Sequence, residues 1–84
     1  MPPQPPVFTA PYTEIDGPAD LGRLLRQARK EAGMTLQQAA LACNVSVRNL
    51  LEIERGKETA RVGRVIHLLA QFGLRLLIAR RELK

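Results

Sequence analysis

The sequence predicts a mainly α fold: four helices closing on one core, followed by a short C-terminal strand that pairs across a dimer. Three observations predict it. Apolar residues recur at helical spacing in the stretches between residues 18 and 73. Those stretches are punctuated by Gly33, Asn44, Gly56 and Gly73, residue types that tolerate the left-handed backbone on which helices end. Beyond Gly73, Leu74, Leu76 and Ile78 alternate as one face of a strand does.

The elements follow in order. All six prolines lie within the first 18 residues, so residues 1–16 read as a mobile, polyproline-like arm. Phe8 and Tyr12 in that arm are two of three aromatics in the chain, and either belong to an unstructured leader or form a short docking motif. Residues 17–73 form the helical domain, and 74–84 the dimerisation strand and tail. Gly17-Pro18-Ala19-Asp20 is a helix start, with proline in the first turn and an acidic side chain near the positive dipole end. Leu21, Leu24, Leu25, Ala28 and Ala32 make the apolar stripe of that helix, and Arg23, Arg26 and Lys30 lie opposite.

Thr35–Gly56 is the most informative segment. Thr35 and Gln38 have the spacing of a capping box, opening a helix from Leu36 to about Cys43. Asn44 closes it, and Ser46 caps a second helix from Val47 to about Arg55, ended by Gly56. Two helices joined so tightly cross at roughly 90–120°, which leaves the second projecting from the surface. This is a helix-turn-helix. A fourth helix, from about Ala60 to Gly73, carries Val62, Val65, Ile66, Leu69 and Phe72, with Thr59 as its best cap.

The tail from Leu74 to Arg80 fits either a strand or a helical stripe, and Gly73 favours the strand. A lone strand leaves backbone groups unpaired, and the same segment of a second copy, antiparallel across a two-fold axis, would pair them. Leu74, Leu76 and Ile78 are then the dimer interface.

Composition narrows the function. An 84-residue chain is one small domain whose core gives marginal stability, which favours a partner chain. The net charge of +5 hides an asymmetry: residues 1–20 hold no Lys or Arg, so the remainder sets all 13 basic side chains against 5 acidic ones, +8 net. A domain that basic suits a polyanion. Lone Cys43 excludes an intramolecular disulfide and reads as a small core residue. No apolar run has membrane-spanning length and the N-terminus lacks signal-peptide character, so no membrane role is expected. His67, the single histidine, has no acidic or cysteine partner at metal-ligand spacing, and no nucleophile motif or phosphate-binding glycine loop appears. Neither an enzyme, a cofactor nor a metal is expected.

From Leu21 to about Leu74 the chain resembles the lambda-repressor-like helix-turn-helix domain of the Cro-type regulators. The resemblance rests on Arg29, Gly33, Ala40, Val45-Ser46 and Leu50, Ile53, Glu54, Arg55, Gly56. It implies a partly buried ion pair between Arg29 and Glu54. Phe72-Gly73-Leu74-Arg75-Leu76, leading into the tail, makes the chain similar to HipB-like antitoxins. That similarity implies a homodimer paired through the strand, autorepression of its own operon, a HipA-like toxin kinase as partner, and a cytoplasmic, nucleoid-associated location in a bacterium.

The helix-turn-helix geometry places the N-terminal residues of the second helix at base edges in the major groove of double-stranded DNA. Arg48 is the strongest reader, because a guanidinium bonds O6 and N7 of one guanine together. Asn49 and Glu52 are secondary. Val47 and Leu51 either touch a thymine methyl or serve the core or an interface, and these two, with Leu36, depart from the polar residues of related domains. Thr35 and Gln37 at one helix start, and Arg55, Lys57 and Arg61 after the second helix, are the phosphate candidates. The expected function is a dimeric repressor reading a palindromic operator, acting as the antitoxin of a toxin–antitoxin pair. Rival readings are a stand-alone repressor of the same fold and a protein-interaction domain that has lost specific DNA binding.

Overall fold

The computed structural model describes residues 12–81; the expectations for the arm before Tyr12, Phe8 included, and for the last three residues lie outside them. Within that range the chain forms α1 (Pro18–Glu31), α2 (Leu36–Cys43), α3 (Val47–Glu54) and α4 (Val62–Gln71).

Each helix start has a local cause except the last. Asp20 reaches back from the first turn of α1 to accept a hydrogen bond from the Asp16 N–H at 2.9 Å, and its other oxygen accepts from Arg23 Nη2 at 2.9 Å. At α2 both halves of the capping box form: Thr35 Oγ1 accepts from the Gln38 N–H at 3.1 Å, and Gln38 Oε1 from the Thr35 N–H at 2.9 Å. Ser46 Oγ accepts from the Asn49 N–H at 3.0 Å to open α3. The start of α4 corrects the sequence reading. Its N-cap is Arg61, which makes no capping hydrogen bond, and Thr59 and Ala60 lie in the preceding turn.

All four helices stop by one device, a residue at positive φ followed by a 6→1 backbone bond. In α2 that residue is Asn44 at φ 58°, with Val45 N–H donating to the Ala40 carbonyl at 3.0 Å. In α4 it is Gly73, and Leu74 N–H donates to the Leu69 carbonyl at 2.9 Å.

The core draws Leu25 from α1, Leu50 from α3 and Leu68 from α4, each fully buried, and Ala39, Ala40 and Cys43 from α2. The fully buried side chains of α2 are all small, with Leu36 packed at the edge of the core, so α3 can pack closely over it. Burial also pushes the Cys43 thiol pKa up, since a thiolate there would lose its hydration. Four positions differ from the expected stripes. Ala32 is exposed at the end of α1, and on α4 Val62 and Ile66 face outward while Leu68, absent from the expected set, is buried. The apolar residues of α4 span more than one face, so periodicity left the choice of buried face to its neighbours.

Residues 74–81 form no strand within this one chain. Leu74 is half-buried against the chain's own core, whereas Leu76, Leu77 and Ile78 are exposed.

Gly22 sets the approach of α1 to α3. A Cβ there would run into the main-chain carbonyl oxygens of Ile53 and Glu54, whereas a Cβ on Gly63 of α4 would meet nothing within 4 Å. Opposite outcomes are expected for the same substitution. Gly22→Ala should lower the unfolding free energy in urea by about 1–3 kcal/mol, the usual range for overpacking. Gly63→Ala should leave it unchanged or raise it by up to about 0.5 kcal/mol through helix propensity.

Candidate nucleic-acid interface

The site is built from α3 outward. Leu50 and Ile53 bury one side of α3 in the core, and its last residue, Glu54, is buried and ionically tied to α1. Arg29 Nε donates to Glu54 Oε2 at 2.7 Å and Nη2 to Oε1 at 3.1 Å, a two-pronged pair, while Nη1 donates to the Met34 carbonyl at 2.8 Å. This ties α3 to α1 and to the turn before α2.

With one side of α3 anchored, the other is left for a partner. The Arg48 side chain is 88% exposed and stands one helical turn from Glu52, its Nε 3.5 Å from Glu52 Oε2. Val47 is exposed, and Asn49, Leu51 and Glu52 are half-buried; neither Val47 nor Leu51 packs in the core. Lys57 Nζ donates to Glu52 Oε1 at 3.1 Å, so Glu52 lies between two cations. Its carboxyl is held below the usual carboxylate range, first by the Lys57 hydrogen bond and further by the charges of Lys57 and Arg48.

The phosphate candidates fall in two places. Thr35 and Gln37 are exposed at the start of α2, with the Thr35 hydroxyl engaged in capping. Arg55 is exposed at the end of α3, and Arg61 at the start of α4. Arg61 lines an open cleft of about 450 Å³ with Asn44, Ser46, Asn49, Arg64 and His67. Among the described residues neither Arg61 nor Arg64 has a carboxylate partner. Arg64 and His67 join this cleft although neither is among the phosphate candidates read from the sequence. The signal that could have found Arg64 is its i, i+3 spacing from Arg61, which puts both on one face of α4. His67 Nε2 lies 3.1 Å from the Cys43 carbonyl oxygen, and because that oxygen only accepts, this nitrogen carries the proton. The bond fastens α4 to the end of α2 and so fixes the cleft wall.

An exposed, one-turn array of polar side chains beside a cationic wall, on a helix locked from behind, has the form that a duplex groove accepts. A helix-turn-helix domain family matches residues 20–83. The chain belongs to the helix-turn-helix family. This helix-turn-helix protein is 37% identical over 59 residues, 70% of its own length and 78% of the other's, to y4mF, an uncharacterized HTH-type transcriptional regulator of Sinorhizobium fredii (strain NBRC 101917 / NGR234). Among solved structures it is similar to a chain of a HipB–O4 20mer complex, with a TM-score of 0.74 over 84% of this chain and all of that one, at 14% identity. The fold and the family make it a DNA-binding domain of the transcription-regulator kind. No helix among the described residues is long and apolar enough to cross a membrane.

The buried pair gives a prediction on stability. Arg29→Ala leaves Glu54 buried and unpaired and should cost about 3–5 kcal/mol in chemical denaturation. The double variant Arg29→Met, Glu54→Leu should recover most of that loss, because two apolar side chains of similar volume leave no charge to solvate.

Proposed function

We propose that the protein is a sequence-specific repressor that binds a palindromic operator as a homodimer, and that it is the antitoxin of a HipBA-like pair, repressing its own operon and binding a kinase toxin. The observation that carries the DNA reading is Arg48, almost fully exposed on a helix whose opposite side is locked in the core. Arg48 reads guanine, with Asn49 and Glu52 beside it and Val47 and Leu51 as apolar contacts to thymine methyl groups. Thr35, Gln37, Arg55, Lys57 and Arg61 hold the flanking phosphates, joined by Arg64.

The dimer reading is supported by the tail. Leu76, Leu77 and Ile78 are three consecutive large apolar side chains left in solvent, on a segment that forms no strand pairing among the described residues. Antiparallel pairing of two tails would cover them. Two α3 helices would then sit about one turn of duplex apart, roughly 34–36 Å. The antitoxin reading is supported by the likeness in fold to the chain of the HipB–O4 20mer complex. A stand-alone repressor is the competing reading, favoured by y4mF, whose name carries no toxin. Co-elution of the purified chain with a kinase encoded beside its gene decides between them.

Two outcomes are expected on an operator selected from randomised duplexes. Arg48→Ala should weaken binding by about 1–3 kcal/mol in fluorescence anisotropy and relax preference at one base pair. Truncation after Leu74, which keeps the α4 stop and its core contact, should give a folded monomer in analytical ultracentrifugation with most operator affinity lost. A truncated chain that stays dimeric refutes pairing through the tail.

A further inference from the structure

Glu52 is a carboxylate in the middle of the surface that has to meet a polyanion. It lies on α3 one turn beyond Arg48, and two cations of that surface converge on it: Lys57 Nζ at 3.1 Å on one oxygen, Arg48 Nε at 3.5 Å on the other. Its side chain is 31% exposed, against 88% for Arg48, so the carboxylate lies nearer the helix body and the guanidinium projects past it.

This arrangement has two physical consequences. In the free protein Glu52 occupies the cations that a phosphate would otherwise take, so an arbitrary duplex must displace an internal anion before gaining a contact. In the groove a carboxylate can only accept hydrogen bonds, and the only donors that base edges present there are the exocyclic amines of cytosine and adenine. Opposite guanine or thymine oxygens it is desolvated and repelled.

We propose, resting on the DNA-binding reading above, that Glu52 is a specificity filter: it weakens binding to arbitrary sequence and is compensated only where an exocyclic amine, cytosine N4 or adenine N6, meets it. Arg48 supplies attraction to guanine. Glu52 supplies the repulsive element that rejects other sequences, and discrimination needs both.

The test uses the full chain and a mixed-sequence 20-base-pair duplex, titrated across salt, for the wild type, Glu52→Gln and Glu31→Gln. Glutamine keeps shape and helix propensity and removes one negative charge, and Glu31 lies on α1 as a control for net charge alone. Glu52→Gln should bind the mixed duplex about three- to ten-fold tighter, with a salt dependence steeper by about one ion. Selection from randomised duplexes should return a motif that has lost, at one position, a preference for an amine-bearing base, cytosine or adenine. Equal or weaker binding by Glu52→Gln overturns the filter, and so does an equal gain from Glu31→Gln, which would make the effect one of bulk charge. A wild type that binds no duplex even at low salt overturns the DNA-binding reading itself, a result distinct from either.

Discussion

The orientation of α3 depends on a buried ion pair. Arg29 and Glu54 are 25 residues apart in the chain, and both are removed from solvent. Burying two charges costs several kcal/mol each, and the attraction offsets that only when geometry is good and the remaining donors are used. Here both carboxylate oxygens are engaged, the third guanidinium nitrogen is spent on the Met34 carbonyl, and no buried side-chain polar atom among the described residues lacks a partner. Such a pair adds direction more than net stability: apolar contacts tolerate sliding of α3 along α1, whereas a two-pronged hydrogen bond forms in one register only. Gly22 completes the constraint by letting the α1 backbone lie directly on the carbonyls of Ile53 and Glu54.

Everything on the outer side of α3 inherits that register. Leu50 and Ile53 point inward with Glu54, so Arg48 and Glu52, one turn apart, point outward together. The cleft wall is set separately, by the His67 bond to the Cys43 carbonyl, which locks α4 to the end of α2 and turns Arg61 and Arg64 toward Asn49. The surface therefore has two parts, the outer face of α3 and a cationic wall. Its electrostatics are mixed, with Glu52 placed between Arg48 and Lys57.

The helix-turn-helix was legible in detail because its signals act over three or four residues. Thr35 with Gln38, Asn44 and Ser46 satisfy or reverse the backbone within one turn, so identity and spacing suffice. The start of α4 was not legible in the same way. No side chain caps it, and Ala60, which packs on the core, helps to place the backbone there. The buried face of α4 failed for a related reason. Val62, Val65, Ile66, Leu68 and Leu69 offer two overlapping stripes, and contact with Leu25 and Leu50 selects the one through Leu68. In the site, the outward positions of Arg48 and Glu52 followed from spacing. That Lys57 bridges to Glu52, and that Arg64 shares a cleft with Arg61, required the fold of the turn between α3 and α4.

By itself the sequence determined what short-range physics controls: four helices, how each one stops, the basic balance of the chain after residue 20, and the residue types available for reading bases. Only the tertiary structure decided which faces were buried, how closely α1 could approach α3, and which charges became neighbours. Capping and turn formation are hydrogen bonds between residues within a turn of each other, and their partners are written next to them in the chain. Packing and ion pairing join residues tens of positions apart, and their outcome depends on which of several competing contacts close together in three dimensions.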